Sequence, residues 1–247
     1  MGVSDGKAEM KSSTDQLISD RRIPIAERFI SINGEGQQAG KLACFIRFPH
    51  CNLQCSYCDT MWANDPHASF ETATLQELVD WVSRSGVSCV TITGGEPLLQ
   101  PALPELLTAL NIACPGLWIE LETNGSCCLD VYAALREQLS AVTISFTMDW
   151  KAPSSNMNDR MCVENLSLLT LRDTLKFVVG DLSDLDHMRT LCFDHHLFER
   201  TKVFLSPVSG VLDPAEIVDY MQRYRLANVR LQLQLHKIIW PHEVKGV

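Results

Sequence analysis

The run Cys51-Asn52-Leu53-Gln54-Cys55-Ser56-Tyr57-Cys58 places three thiols in a C-x3-C-x2-C loop. Thiolates bind soft metals, and a [4Fe–4S] cluster usually takes four of them. Three thiolates leave one iron without a protein ligand. An open coordination position marks a metal centre that does chemistry, as it does for zinc, whereas a structural site is closed. The same run also reads as a zinc knuckle completed by His50, Asp59 or His67.

Further polar motifs recur at one kind of place, the end of a β-rich run. The cysteine loop follows Ala43–Phe48, and Thr93-Gly94-Gly95-Glu96-Pro97 ends Val87–Thr93. Glu122-Thr123-Asn124-Gly125 ends 117–122, Thr147-Met148-Asp149-Trp150-Lys151 follows 142–146, and Ser206-Pro207 follows 203–205. Strands are also predicted at 25–31, 175–179 and 229–233. Helical patterns alternate with them. Thr74 and Glu77 make a capping box for a helix over 74–84, with a stripe of Leu75, Leu78, Val79 and Val82 and a stop at Gly86. Helices are predicted from Pro101, over 130–139, and from Asp213 to about Tyr224. This order predicts an α/β fold, a partial (β/α) barrel with a mostly parallel sheet. Strand C-termini form the active face of such barrels, so the motifs should converge there. The glycines of Thr-Gly-Gly-Glu-Pro let backbone approach a ligand, and carbonyls with Glu96 can accept hydrogen bonds from an amino acid's ammonium; a plain tight turn explains the same residues.

Together, the three-cysteine loop and the downstream Thr-Gly-Gly-Glu-Pro turn resemble the radical S-adenosylmethionine (SAM) superfamily. That resemblance implies a cluster whose open iron chelates SAM and supplies a 5′-deoxyadenosyl radical. It implies SAM contacts at Tyr57, Gly94, Gly95, Glu96, Glu122, Asn124 and Ser206. A narrower resemblance rests on Ser31-Ile32-Asn33-Gly34-Glu35-Gly36, Phe45-Ile46-Arg47, Cys58-Asp59-Thr60, Lys151-Ala152-Pro153-Ser154-Ser155 and Gln234-Leu235-His236-Lys237-Ile238-Ile239-Trp240. These are similar to the 7-carboxy-7-deazaguanine synthase family over residues 23–247. The family contracts 6-carboxy-5,6,7,8-tetrahydropterin to 7-carboxy-7-deazaguanine with loss of ammonia, on the route to queuosine-type deazapurines. The resemblance implies cluster ligands Cys51, Cys55 and Cys58, and an Mg2+ oxygen from Thr60. Substrate contacts would be Ile32, Asn33, Gly34, Glu35, Arg47, Thr93 and Val247, and SAM contacts in the loop Thr147, Met148, Asp149 and Lys151. It also implies a homodimer and an electron donor such as a flavodoxin or ferredoxin. Asn33 stands where many relatives carry glutamine, and the 147–151 loop is longer than the Ser-Pro-Lys form of some relatives. A glycyl-radical activating enzyme would share the cysteines and the Gly-Gly-Glu-Pro turn. It would have no reason for Ile-Asn-Gly-Glu-Gly, Arg47 or Cys-Asp-Thr, because its substrate is a protein backbone. A non-catalytic iron–sulfur or zinc protein leaves the other strand-end motifs unexplained.

A chain of 247 residues with 46% hydrophobic content suits one sizeable core. A net charge of −9 gives no reason for a nucleic-acid surface. No apolar stretch approaches the ~18 residues of a membrane span. Residues 1–22 read as a polar, flexible tail without the apolar core of a secretion signal, and 23–247 as one domain. Beyond the loop, Cys44, Cys89, Cys114, Cys127, Cys128, Cys162 and Cys192 show no disulfide framework. They are expected to be reduced and buried, as in cytoplasm.

Overall fold

The computed structural model describes residues 21–243 and 245–247. The tail expected over 1–22 lies outside them except for its last two residues, and Arg22 already belongs to a strand. The first expected strand is two: β1 (Arg22–Ile25) and β2 (Glu27–Ile32), broken at Ala26. β1 pairs only with β4 (Glu71–Thr74), a strand the sequence did not announce.

The main sheet has eight strands. Beside β2 runs β3 (Leu42–Phe48), then β5 (Cys89–Gly94), β6 (Trp118–Thr123), β7 (Thr143–Trp150), β8 (Thr174–Val179), β9 (Lys202–Pro207) and β10 (Val229–Leu231), in that spatial order. Every pairing is parallel except β2 with β3. Crossovers carry α1 (Leu75–Ser85), α2 (Leu103–Ala113), α3 (Asp130–Gln138), α4 (Leu182–Asp194), α5 (Leu197–Arg200) and α6 (Pro214–Arg223); a short α7 (Leu235–Ile239) follows β10. The Thr74 capping box on α1 is formed, and Gly86 closes the helix in a left-handed conformation. α4 was not expected from the sequence, although Asp181 caps it and Leu185, Met188 and Cys192 bury one stripe.

Strand alternation decides what faces where. One face of the sheet carries Val90, Ile92, Ile119, Leu121, Ile144, Phe146, Met148, Leu175, Phe177 and Val203, all in the main apolar core. The other face carries Thr91, Thr93, Glu120, Glu122, Thr147, Asp149 and Lys176. Side chains two apart share a face, so a polar interior is written as every second residue of otherwise apolar strands. β2 and β10 remain the two edges, and the barrel does not close through the sheet.

Candidate active site

A cavity of about 540 Å³ opens at the C-terminal ends of the parallel strands. Cys51, Cys55 and Cys58 all line it. Their loop is anchored from outside: Ser56 N donates to Ser155 O (3.1 Å) and Ser56 Oγ to Ser154 O (2.7 Å). Among the described residues, no group of three or more His, Cys, Asp or Glu side chains could hold a single metal ion. A zinc knuckle needs its ligands gathered about one ion, whereas a cluster takes thiolates at separate irons. Cys51, Cys55 and Cys58 are the three residues that would hold a cluster at this cavity. Burial pushes the Cys55 and Cys58 thiols up, so without metal they stay protonated; coordination would deprotonate them.

The Thr93–Pro97 turn packs edge-on against the start of the cysteine loop. Gly95 N donates to Phe48 O (3.0 Å) and Glu96 N to His50 O (2.8 Å). A Cβ on Gly94 would strike Phe48 O, and one on Gly95 would strike His50 O. The glycines are therefore required by this backbone contact, and both border the cavity.

Three expected site positions, and the expected burial of four cysteines, need correction. Glu96 is fully buried, off the cavity lining: Oε1 accepts from Leu98 N (3.0 Å) and Thr123 Oγ1 (2.9 Å), and Oε2 from Asn124 N (2.7 Å). It ties two turns together and has no oxygen turned to a ligand. Met148 is fully buried on the opposite face from Thr147 and Asp149, against Gly125, because β7 runs on to Trp150 and keeps its alternation. Ser206 is buried beneath Glu35, with its Oγ 3.5 Å from Glu35 Oε1. Cys128 is exposed and Cys114, Cys127 and Cys162 are half-buried, so only Cys44, Cys89 and Cys192 are the buried thiols expected.

The remaining expected residues meet at the cavity. Asn124 Nδ2 lies 3.4 Å from Cys51 Sγ and 3.0 Å from Asn52 Oδ1, and Tyr57 OH donates to Val178 O (3.2 Å). Ile32, Asn33, Gly34 and Glu35 arrive by a different route. β2 is antiparallel, so it delivers them to the N-terminal end of the parallel strands, and the 33–36 turn rises into the interior from there. Asn33 Nδ2 donates to Thr91 Oγ1 (3.1 Å) and to Glu120, which also accepts from Thr147 Oγ1. Burial, reinforced by Glu122, raises the Glu120 carboxyl well above the ordinary carboxylate range.

An ion-pair chain crosses the floor. Lys151 Nζ and Lys176 Nζ each sit 3.1 Å from Asp149 Oδ2, and Lys176 Nζ is 2.9 Å from Glu35 Oε2. Burial alone would lower Lys176, but Asp149, Glu35 and Glu122 outweigh it and hold it well above the usual lysine value. Asp149 borders the cavity, and its Oδ1 is buried without a partner among the described residues. Lys176 was missed in the sequence; a lysine in the apolar run Thr174–Val179 was the available signal.

On the substrate side, Arg47 Nε donates to Glu27 Oε1 across the antiparallel pair (2.7 Å), and the arginine borders the cavity. Thr93 and Val247 line it as well, and Glu122, expected at SAM, lies beside Thr93 and Arg47 on this side. Thr60 Oγ1 donates to Asp59 Oδ1 (2.9 Å), leaving its lone pairs available. Asp59 Oδ2 pairs with Lys237 (3.0 Å). Burial opposes the Asp59 charge, but Lys237 prevails and holds the carboxyl far below its usual range. The segment after β10 closes the open side: Gln232 Nε2 donates to Gly36 O (3.1 Å), Gly36 N to Gln232 Oε1 (2.8 Å), and Leu235 N to Gly34 O (3.3 Å). His236 Nδ1 packs against Gly34, and Gly246 N donates to Glu27 Oε2 (3.0 Å).

Residues 45–166 match the Radical SAM superfamily. A 7-carboxy-7-deazaguanine synthase from Clostridium acetobutylicum is 42% identical over 90% of this chain and 98% of its own length. One from Chlorobaculum tepidum is 34% identical over 94% of this chain and the whole of its own. The fold is also that of QueE from Escherichia coli, with a TM-score of 0.63 at 20% identity, over 91% of this chain and 99% of that one. By these likenesses the chain belongs to the 7-carboxy-7-deazaguanine synthase family of radical SAM enzymes.

Proposed function

We propose that the chain converts 6-carboxy-5,6,7,8-tetrahydropterin to 7-carboxy-7-deazaguanine and ammonia. The observation that carries this reading is a single cavity with two kinds of wall. One wall has three cysteines, Tyr57, the Gly94–Gly95 turn and Asn124; the other has Asn33, Glu35, Arg47, Thr93 and Glu122. The second wall supplies the paired donors and acceptors a pterin amide edge requires, and a guanidinium for its carboxylate. A protein backbone, the substrate of a glycyl-radical activating enzyme, gives no reason for a guanidinium, two carboxylates and an amide on one side of the cavity. When bound, a reduced cluster and SAM supply an adenosyl radical. The residues of this chain orient the substrate carbon toward it, since misplacement costs rate steeply.

The product and ammonia together contain the atoms of the pterin, so the reaction needs no net oxidant and SAM can be regenerated. Thr60 is our candidate for the protein's oxygen on Mg2+. One hydroxyl is a poor site alone, so substrate and water must fill most of the coordination. Thr147, Asp149 and Lys151 are assigned to SAM, and Ile32, Gly34 and Val247 to the substrate. An electron donor of the flavodoxin or ferredoxin kind, a homodimer and a cytoplasmic setting complete the proposal; no helix among the described residues is long and apolar enough to cross a membrane. The test is anaerobic reconstitution followed by incubation with SAM, reductant, Mg2+ and the tetrahydropterin. One ammonia per deazaguanine, with SAM present at the end, supports the reading; SAM consumed in proportion to product, or no product from a cluster-loaded protein, overturns it.

A further inference from the structure

Cys128 and Cys162 lie off the cavity lining and play no part in the reaction above. They come from two segments, the turn after β6 and the stretch after β7, yet their sulfurs are 3.4 Å apart. Cys128 is exposed and Cys162 half-buried, so solvent reaches the pair. The surrounding backbone already fixes these segments to each other. Cys162 N donates to Gly125 O (3.0 Å), Leu129 N to Asn165 Oδ1 (2.9 Å), and Asn165 Nδ2 to Cys127 O (2.8 Å). A disulfide requires a separation of about 2.05 Å, and its usual obstacle is backbone that holds the two sulfurs too far apart. Here the backbone holds them together.

We propose that Cys128 and Cys162 form a reversible thiol–disulfide site, oxidised by low-molecular-weight disulfides. Exposed Cys128, as thiolate, attacks one sulfur of the small disulfide, forming a mixed disulfide and releasing one small thiol. Cys162 then attacks Cys128 Sγ, forms the internal bond and expels the second small thiol, which leaves with a proton. The thiol of Cys162 donates to Glu164 Oε2 at 3.3 Å, which gives its own proton a route to solvent. Two protein thiols are thereby oxidised and one small disulfide is reduced to two thiols. Cys127 is the competing partner. It is half-buried, and its sulfur lies toward Asn52 Nδ2 (3.9 Å), on the side of the cysteine loop.

The bridge would act on the cavity from behind. It would fasten the turn that carries Asn124, whose amide meets Cys51, to the stretch where Asn158 Nδ2 donates to Lys151 O (2.8 Å). The experiment equilibrates the reduced, cluster-loaded full chain anaerobically with glutathione couples of increasing oxidised fraction. Samples are acid-quenched and alkylated, then mapped by peptide mass spectrometry, with iron measured in the same samples. A Cys128–Cys162 peptide should rise from undetectable to the major form. It should vanish with dithiothreitol and in Cys128→Ser and Cys162→Ser, while Cys127→Ser still forms it. Both thiols alkylated at the oxidising end, a stable glutathione adduct on Cys128, or a Cys127–Cys128 bond in iron-replete protein would each overturn the proposal.

Discussion

On the cysteine side of the cavity, main chain holds main chain: Gly95 to Phe48, Glu96 to His50, Ser56 to Ser155. On the facing side, the 33–36 turn and the segment after β10 meet through one main-chain bond, Leu235 to Gly34, and otherwise through side chains: Gln232 on Gly36, Lys176 on Glu35, Glu27 on Arg47 and on Gly246. The first wall is shaped by strand ends and by glycines that no larger residue can replace. The second is assembled from pieces distant in sequence, each fastened by one or two polar groups. Substitutions should therefore divide the two half-reactions, SAM cleavage and substrate turnover.

The largest effect tests the first wall at its ligands. Cys51→Ala, Cys55→Ala or Cys58→Ala should each abolish the cluster, with SAM cleavage and turnover lost together. Iron and sulfide analysis with the visible spectrum checks this, and one tightly held zinc in place of iron would contradict it. Next, Arg47→Ala should lower turnover on the order of 10–100-fold, the worth of charge-assisted bonds of ~1.5–3 kcal/mol. Reductive SAM cleavage by the same protein should survive. A folded, cluster-loaded Arg47→Ala that cleaves no SAM would move Arg47 to the other wall.

Gln232→Ala removes two hydrogen bonds to Gly36, each worth ~1 kcal/mol. Its signature should be a KM for the pterin raised about tenfold with kcat less affected, read in steady-state assays against an unchanged affinity for SAM. Thr60→Ala should raise the Mg2+ needed for half-maximal turnover and leave cluster content intact; full activity after chelator treatment would remove Thr60 from any metal role. The smallest effect concerns Glu120, which joins the walls by accepting from both Asn33 and Thr147. Its carboxyl is raised in the folded chain, first by burial and then by Glu122. Folded protein thus keeps a proton that the unfolded chain has released, and stability falls as pH rises from the ordinary carboxylate range to about 8. Glu120→Gln should flatten that slope in denaturant titrations at successive pH values; an unchanged slope would show that Glu120 does not hold the proton.

Much of the first wall was legible in the sequence because its motifs are local: a short loop, a turn, a strand end. The phase of β7 was not, since a strand expected to end at Phe146 runs on to Trp150, and four more residues of alternation turn Met148 into the core. Glu96 misled for a related reason. Its type suits an ammonium, but an amide of its own turn and one of the turn after β6 claimed an oxygen each. The second wall depends on tertiary choices that local pattern does not encode. Nothing in residues 27–32 announces an antiparallel partner, and Lys176 and Glu120 sit inside runs that read as buried strand. Only the shared period of two, placing Lys176 in step with Val178 and Glu120 with Glu122, held the clue.

The hook between Gly36 and Gln232 spans 196 positions of chain. Contacts of such separation form late, because a long loop must be closed before they return any free energy. The cysteine wall, drawn from neighbouring strands and turns, can assemble while the far segment is still searching. Maturation thus has an order: a partly folded chain would own a place for the cluster before it owned a chamber for the pterin. A chain cut before Gln232 should stop at that stage, able to accept iron and sulfide and unable to retain its substrate.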